Sequence, residues 1–176
     1  MDAAIAALER AAKIEPNCAA TPYLWGLALA HKTEFEKAVP KFEEAARLDA
    51  ATPAVRFQLA LAYQAAGRDK EAMTQFKETA RLDLMHAAAW FKLATYARQA
   101  GDAAEAQRCT REFTRLRKLF GDTGRNAETL ESCVHTKAEA VGEATTRPAE
   151  GAKGIEVKFV DASKSAFAKD DSGVRA

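Results

Sequence analysis

The stretch Thr21–Asp49, TPYLWGLALAHKTEFEKAVPKFEEAARLD, decides the fold. Thr21-Pro22 reads as a helix start, a hydroxyl N-cap followed by Pro at the first helical position. Trp25 and Leu29 then recur at helical spacing. The pattern breaks near Lys32-Thr33, and Thr33-x-x-Glu36 reads as a capping box opening a second helix. On that helix Phe35, Ala38, Phe42, Ala45 and Leu48 form one stripe. Moved 34 residues along the chain, the pattern returns. Ala4, Ala38, Ala72 and Ala106 form one column. Leu8, Phe42 and Phe76 form another, with Thr110 as its poor fourth member. Ala11 pairs with Ala45, Gly26 with Ala60 and Ala94, and Leu29 with Tyr63 and Ala97. A fixed period of this length means stacked helix pairs rather than one globular core.

The later units follow the same plan. Thr52-Pro53 starts a first helix that Gly67 ends, and Asp69 is placed to cap a second helix running to about Leu82. Trp90, Leu93 and Ala97 mark the next first helix. Gly101-Asp102 makes the turn, and a second helix runs from about Ala103 to Phe120. The small columns have a physical reason: antiparallel helices approach to roughly 8–10 Å only where their contact residues are small. Gly26, Ala60 and Ala94 are placed at the crossings, facing Ala38, Ala72 and Ala106. Trp25, Leu59, Leu93, Phe42 and Phe76 fill the space beside them. Pro40 conflicts with its helix, since a ring past the first turn costs roughly 3 kcal/mol. A helix that begins near Lys37 would reduce that cost.

These strings carry a resemblance. Leu24-Trp25-Gly26 to Leu29, Leu59-Ala60 to Tyr63, and Trp90-Phe91-Lys92-Leu93-Ala94, each followed by a second helix, resemble the tetratricopeptide repeats. Ile14-Glu15-Pro16-Asn17 is similar to that family's repeat ending. The chain departs from the family at Thr33, where Gly is usual, at Ala50 and Leu84, where Pro is usual, and at Thr110 and Phe113. The resemblance implies an all-α, right-handed solenoid of antiparallel helix pairs, about three and a half repeats long, with a largely irregular C-terminal tail.

The expected organisation is an array over 1–120, made of a half repeat at 1–18 and repeats at 19–52, 53–86 and 87–120. Residues 1–15 match only a second helix, with Ala4, Leu8 and Ala11 on its stripe. Its bare face is an expected route to self-association. The stretch 121–141 is a candidate capping helix for the last repeat, with Ala127, Leu130, Val134 and Val141 on one side. Residues 142–176 read as a linker and a disordered or strand-like tail, in which Ile155-Glu156-Val157-Lys158-Phe159 alternates like a strand. Phe159-Val160-Asp161-Ala162-Ser163 is similar to the opening of β-propellers that follow such repeats.

Charge and chemistry narrow the function. The 26 basic and 25 acidic residues leave a net charge of +1, so no global field calls for nucleic acid or a membrane. No apolar run reaches the roughly 20 residues of a membrane span. If Met1 is the native start, the lack of a signal segment implies a cytoplasmic protein; a chain cut from a longer array leaves the location open. Arg108, Arg111, Arg115, Arg117 and Lys118, with Glu112 the only acid among them, form either a solvated helix face or a dock for an acidic partner. Cys18, Cys109 and Cys133 are distant and odd in number, which is no disulfide framework. Cys133 and His135 point to different helix faces, and His31 and His86 lack a partner at ligand spacing. The expectation is no enzyme, no cofactor and no metal.

The resemblance places the first helices along a concave groove where protein or peptide partners bind. A second stripe is then visible beside the packing columns. Tyr23, Phe57 and Phe91 recur at the repeat period, Leu27, Leu61 and Thr95 lie one turn on, and Ala30, Gln64 and Arg98 follow. Gln58 and Lys92 flank them. Three rings on successive helices would form an aromatic ladder, with Gln, Lys and Arg beside it to bond a peptide. The competing reading is that the rings pack between repeats. Some family members clamp a chaperone's terminal carboxylate with Lys, Asn and Arg. Of the comparable Tyr23, Leu27, Gln58 and Lys92, only Lys92 suits that role, so an apolar or amphipathic segment is the expected ligand. The main expectation is therefore a non-catalytic interaction scaffold. The alternative is an accessory repeat segment of a larger enzyme or β-propeller protein.

Overall fold

The computed structural model describes residues 2–120 and 131–137, all within one compact unit, Met1–Glu139. Seven α-helices stand among the described residues: α1 (Asp2–Ile14), α2 (Ala20–His31), α3 (Phe35–Leu48), α4 (Pro53–Ala65), α5 (Asp69–Leu82), α6 (Ala87–Gln99) and α7 (Ala103–Phe120). They pack in chain order. The pairs α2–α3, α4–α5 and α6–α7 form the repeats, α3–α4 and α5–α6 join them, and α1 rests on α2. This is an all-α repeat solenoid, and its core runs as a line through the pairs, from Tyr23 and Phe42 through Phe57 and Phe76 to Leu116.

The small columns sit where close packing needs them: Ala38, Ala60 and Ala72 are fully buried, with Gly26, Ala94 and Ala106 also buried. Phe42 and Phe76 are 0 % exposed beside them. Gly67 and Gly101 end α4 and α6 with φ of +73° and +74°, the left-handed turn that glycine adopts freely. No helix of the described residues is long and apolar enough to cross a membrane.

Several local expectations are corrected. Thr33 does not open a capping box: it stands in the position of those glycines with φ +61°, and α3 starts at Phe35 after Glu34, with no side-chain cap. The turn that Gly makes in the other repeats thus forces a β-branched residue into the left-handed region. Its hydroxyl donates to the Lys32 carbonyl at 2.6 Å. Because α3 begins at Phe35 rather than Lys37, Pro40 lies inside the helix beyond its first turn. Thr21 and Pro22 fall within α2, whose N-cap is Ala19. Thr52 and Pro53 hold the predicted N-cap and first helical positions of α4. The Thr52 hydroxyl, however, donates to Asp49 at 2.6 Å rather than capping the helix. Asp69 is the first residue of α5, and its carboxylate accepts from the Tyr96 hydroxyl at 2.9 Å.

On α1 no residue is buried. Ala4 is exposed, and Leu8 and Ala11 are only half-buried, so the predicted stripe is largely bare. The described part of 121–141 is a single 3₁₀ turn at Val134–Thr136 and its flanks, and it meets α2. The other residues of that candidate helix, the linker, the strand-like 155–159 and the propeller-like 159–163 lie outside the described residues.

Candidate peptide-binding groove

The predicted ladder residues do not share one surface. Tyr23 and Phe57 are core residues, 0 % and 1 % exposed, whereas Phe91 is 46 % exposed. Tyr23 meets Phe42 edge-on at 5.9 Å, and Phe57 meets Phe76 at 5.5 Å. Phe57 also lies 4.5 Å from the His86 ring, at the start of the next repeat. Each ring therefore packs on its own second helix, and for Phe57 the following repeat closes over it. Phe91 has the same pairing, with Phe113 at 5.3 Å, but much of its ring stays open. The packing reading is the one the geometry supports for the first two rings.

Leu27 and Gln58 are likewise buried, and Leu61, Gln64, Lys92 and Thr95 are half-buried. Arg98 is exposed, with its Nε donating to the Ala94 carbonyl at 3.1 Å. Thr95 donates to the Phe91 carbonyl at 3.0 Å. The structure thus brings Gln64, Phe91, Lys92, Thr95 and Arg98 together along α4 and α6. Lys92 Nζ donates to Gln64 Oε1 at 2.8 Å and meets no carboxylate among the described residues. Burial lowers its pKa below the ordinary lysine value. Past Arg98 a cavity of about 560 Å³ continues, lined by Gln107, Thr110, Arg111, Arg115 and Lys118. Of these, Arg115 is paired with Glu112 at 2.9 Å.

The α2 half of the groove is covered by the chain itself. The Tyr23 hydroxyl donates to the Glu131 carbonyl at 2.8 Å. Burial pushes the Tyr23 phenol well above its ordinary range, and the adjacent Cys133 thiol and Glu131 carboxylate add to the effect. His31 Nε2 lies 3.2 Å from Glu131 Oε2, and His135 Nε2 lies 2.7 Å from Asp49 Oδ2. The His135 ring stands 5.9 Å from that of Tyr23. Asp49 also accepts from the backbone N–H groups of Ala51 and Thr52 at 3.0 and 3.2 Å. Sequence reading missed Glu131, His135, His31 and Asp49, because a contact between residues 86 to 108 positions apart leaves no mark on a repeat period.

Together these features define a solenoid of the tetratricopeptide type. No family model and no curated protein sequence matches the chain. Its fold is similar to solved structures of MamA. A mutant of MamA is 25 % identical with a TM-score of 0.58, over 66 % of this chain and 67 % of that one. A crystal structure of MamA is 17 % identical with a TM-score of 0.62, over 65 % and 67 %. MamA from residue 41 to its end, from Desulfovibrio magneticus RS-1, is 18 % identical with a TM-score of 0.56, over 65 % and 63 %. The chain thus spans about two thirds of the MamA chains it resembles.

Proposed function

We propose that this chain is a non-catalytic interaction scaffold, and that it holds an amphipathic peptide segment of a protein partner along α4 and α6. One observation carries the reading: Lys92, a half-buried lysine that meets no carboxylate among the described residues, directly follows on α6 a phenylalanine, Phe91, that is 46 % exposed. A buried cation is stabilised by an opposite charge, and an exposed ring by an apolar cover. A partner segment with an apolar residue on Phe91 and an acidic residue toward Lys92 and Arg98 supplies both. The repeat architecture shared with the MamA chains supports the scaffold class.

The test is a pull-down with the chain beside Phe91→Ala and Lys92→Gln variants, with circular dichroism to show that both fold. Loss of the captured partner in both folded variants is the expected result. Equal capture by all three moves the site away from α6.

A further inference from the structure

We propose that the α2 half of the groove is a second recognition site, for a short peptide with an acidic residue and a histidine four positions later. The chain's own Glu131–Lys137 fills it as a tethered copy of that ligand. This deepens the groove reading above by assigning a ligand chemistry to the half that the open α6 surface does not include.

On the array side, Tyr23 and Asp49 are also held by contacts within the array. Tyr23 is fixed by Phe42 and is fully buried, yet its hydroxyl finds its acceptor in a main-chain carbonyl of the segment. A buried hydroxyl left without an acceptor costs about 1–3 kcal/mol, so the site is complete only when a peptide backbone crosses α2 there. The Asp49 carboxylate is oriented by Ala51, by Thr52 and by the Thr52 hydroxyl, and its remaining capacity faces His135. His31, at the C-terminal end of α2, meets the acidic residue. The peptide is thus read at three points: a carbonyl by Tyr23, a carboxylate by His31 and an imidazole by Asp49.

The occupant is small. It closes on itself through one turn, in which the Thr136 hydroxyl accepts from Cys133 N at 2.9 Å and donates to Cys133 O at 3.0 Å. A cavity of about 420 Å³ lies beside it, lined by Thr52, Ala54 and His86 on the array and by Cys133 and Val134 on the segment. That space admits side chains larger than those the segment carries. A tethered ligand acts at an effective concentration that reaches the millimolar range, so few contacts suffice to hold it. An untethered partner of the same chemistry must therefore compete with it.

The experiment uses the full chain and a fluorescein-labelled peptide with the sequence of residues 131–137. Fluorescence anisotropy is recorded for the wild type, for Glu131→Ala/His135→Ala, and for the latter with Asp49→Asn added. Loosening the internal copy is expected to tighten peptide binding at least tenfold, and Asp49→Asn is expected to abolish the gain. Equal binding by the first two chains, or none by either, overturns the proposal. Alkylation gives an independent readout. Cys133 should react faster in Glu131→Ala/His135→Ala, while the buried Cys109, its thiol pushed up to about 11 by burial and then by Glu105, stays slow in both chains. An unchanged Cys133 rate shows that the side-chain pairs do not hold the segment and also overturns the proposal. Failure of the α6 reading is separate: it would appear as partner capture that survives Phe91→Ala.

Discussion

Gly26→Ala sets two effects of opposite sign against each other. An added Cβ at Gly26 would lie 2.7 Å from two ring carbons of Phe42 and 2.9 Å from a third. The obstacle is a ring that is 0 % exposed and packed edge-on against Tyr23 at 5.9 Å, so it has no free side toward which to turn. Inserting a methyl into such packing costs about 1–3 kcal/mol. Replacing Gly with Ala in a helix interior contributes about 1 kcal/mol in the other direction. With three ring atoms obstructed at once, the upper part of the packing range applies, and a net destabilisation of about 1–2 kcal/mol follows. Urea unfolding followed by circular dichroism should show a lower midpoint with an unchanged slope. Adding Phe42→Leu removes the obstructing ring, so the double variant should lose less than the sum of the single losses, with a coupling of about 1 kcal/mol. The second repeat supplies the contrast. Ala60 occupies the same column and is 0 % exposed, so Ala60→Gly should also destabilise, by about 1 kcal/mol. A Gly26→Ala chain as stable as the wild type, or strict additivity with Phe42→Leu, would refute the crossing argument.

Three further outcomes are expected. Thr33→Gly should stabilise the chain by about 1 kcal/mol in the same urea assay, because a side chain at φ +61° is held in the left-handed region at a cost of roughly 1–2 kcal/mol. Asp49→Ala should cost about 1 kcal/mol through loss of its bonds to Ala51 and Thr52, and should raise Cys133 alkylation by freeing His135. Burial acts to raise the Asp49 pKa, but the Thr52 hydroxyl, the Ala51 N–H, His135 and the Thr52 N–H hold it below the usual carboxylate value. Its contribution is therefore complete above about pH 4 and lost as pH falls further, which an acid titration of the wild type against Asp49→Ala would read. Burial and then the Glu43 carboxylate push the Tyr63 phenol up to about 12, and burial and then Asp69 do the same at Tyr96. Tyrosines ionise near pH 10 in the unfolded chain, so this stabilisation is present below about pH 10 and lost as pH rises toward 12. Absorbance near 295 nm should show little tyrosinate until the chain unfolds; ionisation near pH 10 in the folded chain would contradict the burial.

The fold was legible because its determinants repeat. Gly26, Ala60 and Ala94 are buried small residues, and Phe42 and Phe76 fill the same place in successive pairs, so local pattern and tertiary packing carry the same information. The helix bounds of the later units followed from Gly67 and Gly101, whose backbone geometry enforces the stops. Thr33 misled because its sequence neighbours form a capping box on paper, whereas the turn geometry required at that position belongs to Gly. The groove was only partly legible. The spacing identified Phe91, Lys92, Gln64, Thr95 and Arg98 as neighbours. It left open whether Tyr23 and Phe57 turn into the core, because one helical stripe can face a neighbouring repeat or water with the same residue types. The returning segment was illegible for a different reason. Tyr23, His31 and Asp49 each meet it through a single side chain, and no periodic column records such a pairing.

Phe57 and Phe91 occupy the same column, and each packs on an aromatic ring, Phe76 on α5 or Phe113 on α7. Phe57 is nevertheless 1 % exposed and Phe91 46 %. What differs is the cover: the His86 ring, just before α6, lies 4.5 Å from that of Phe57, whereas Phe91 stays open beside Phe113. The open surface is therefore a property of the surroundings rather than of residue type. In a linear core each unit depends on its neighbours for cover. At α2, Glu131–Lys137 gives Tyr23 its acceptor and brings a second ring beside it. The α2 side is thus closed by the chain's own segment, whereas the α6 side keeps an exposed ring next to a half-buried lysine.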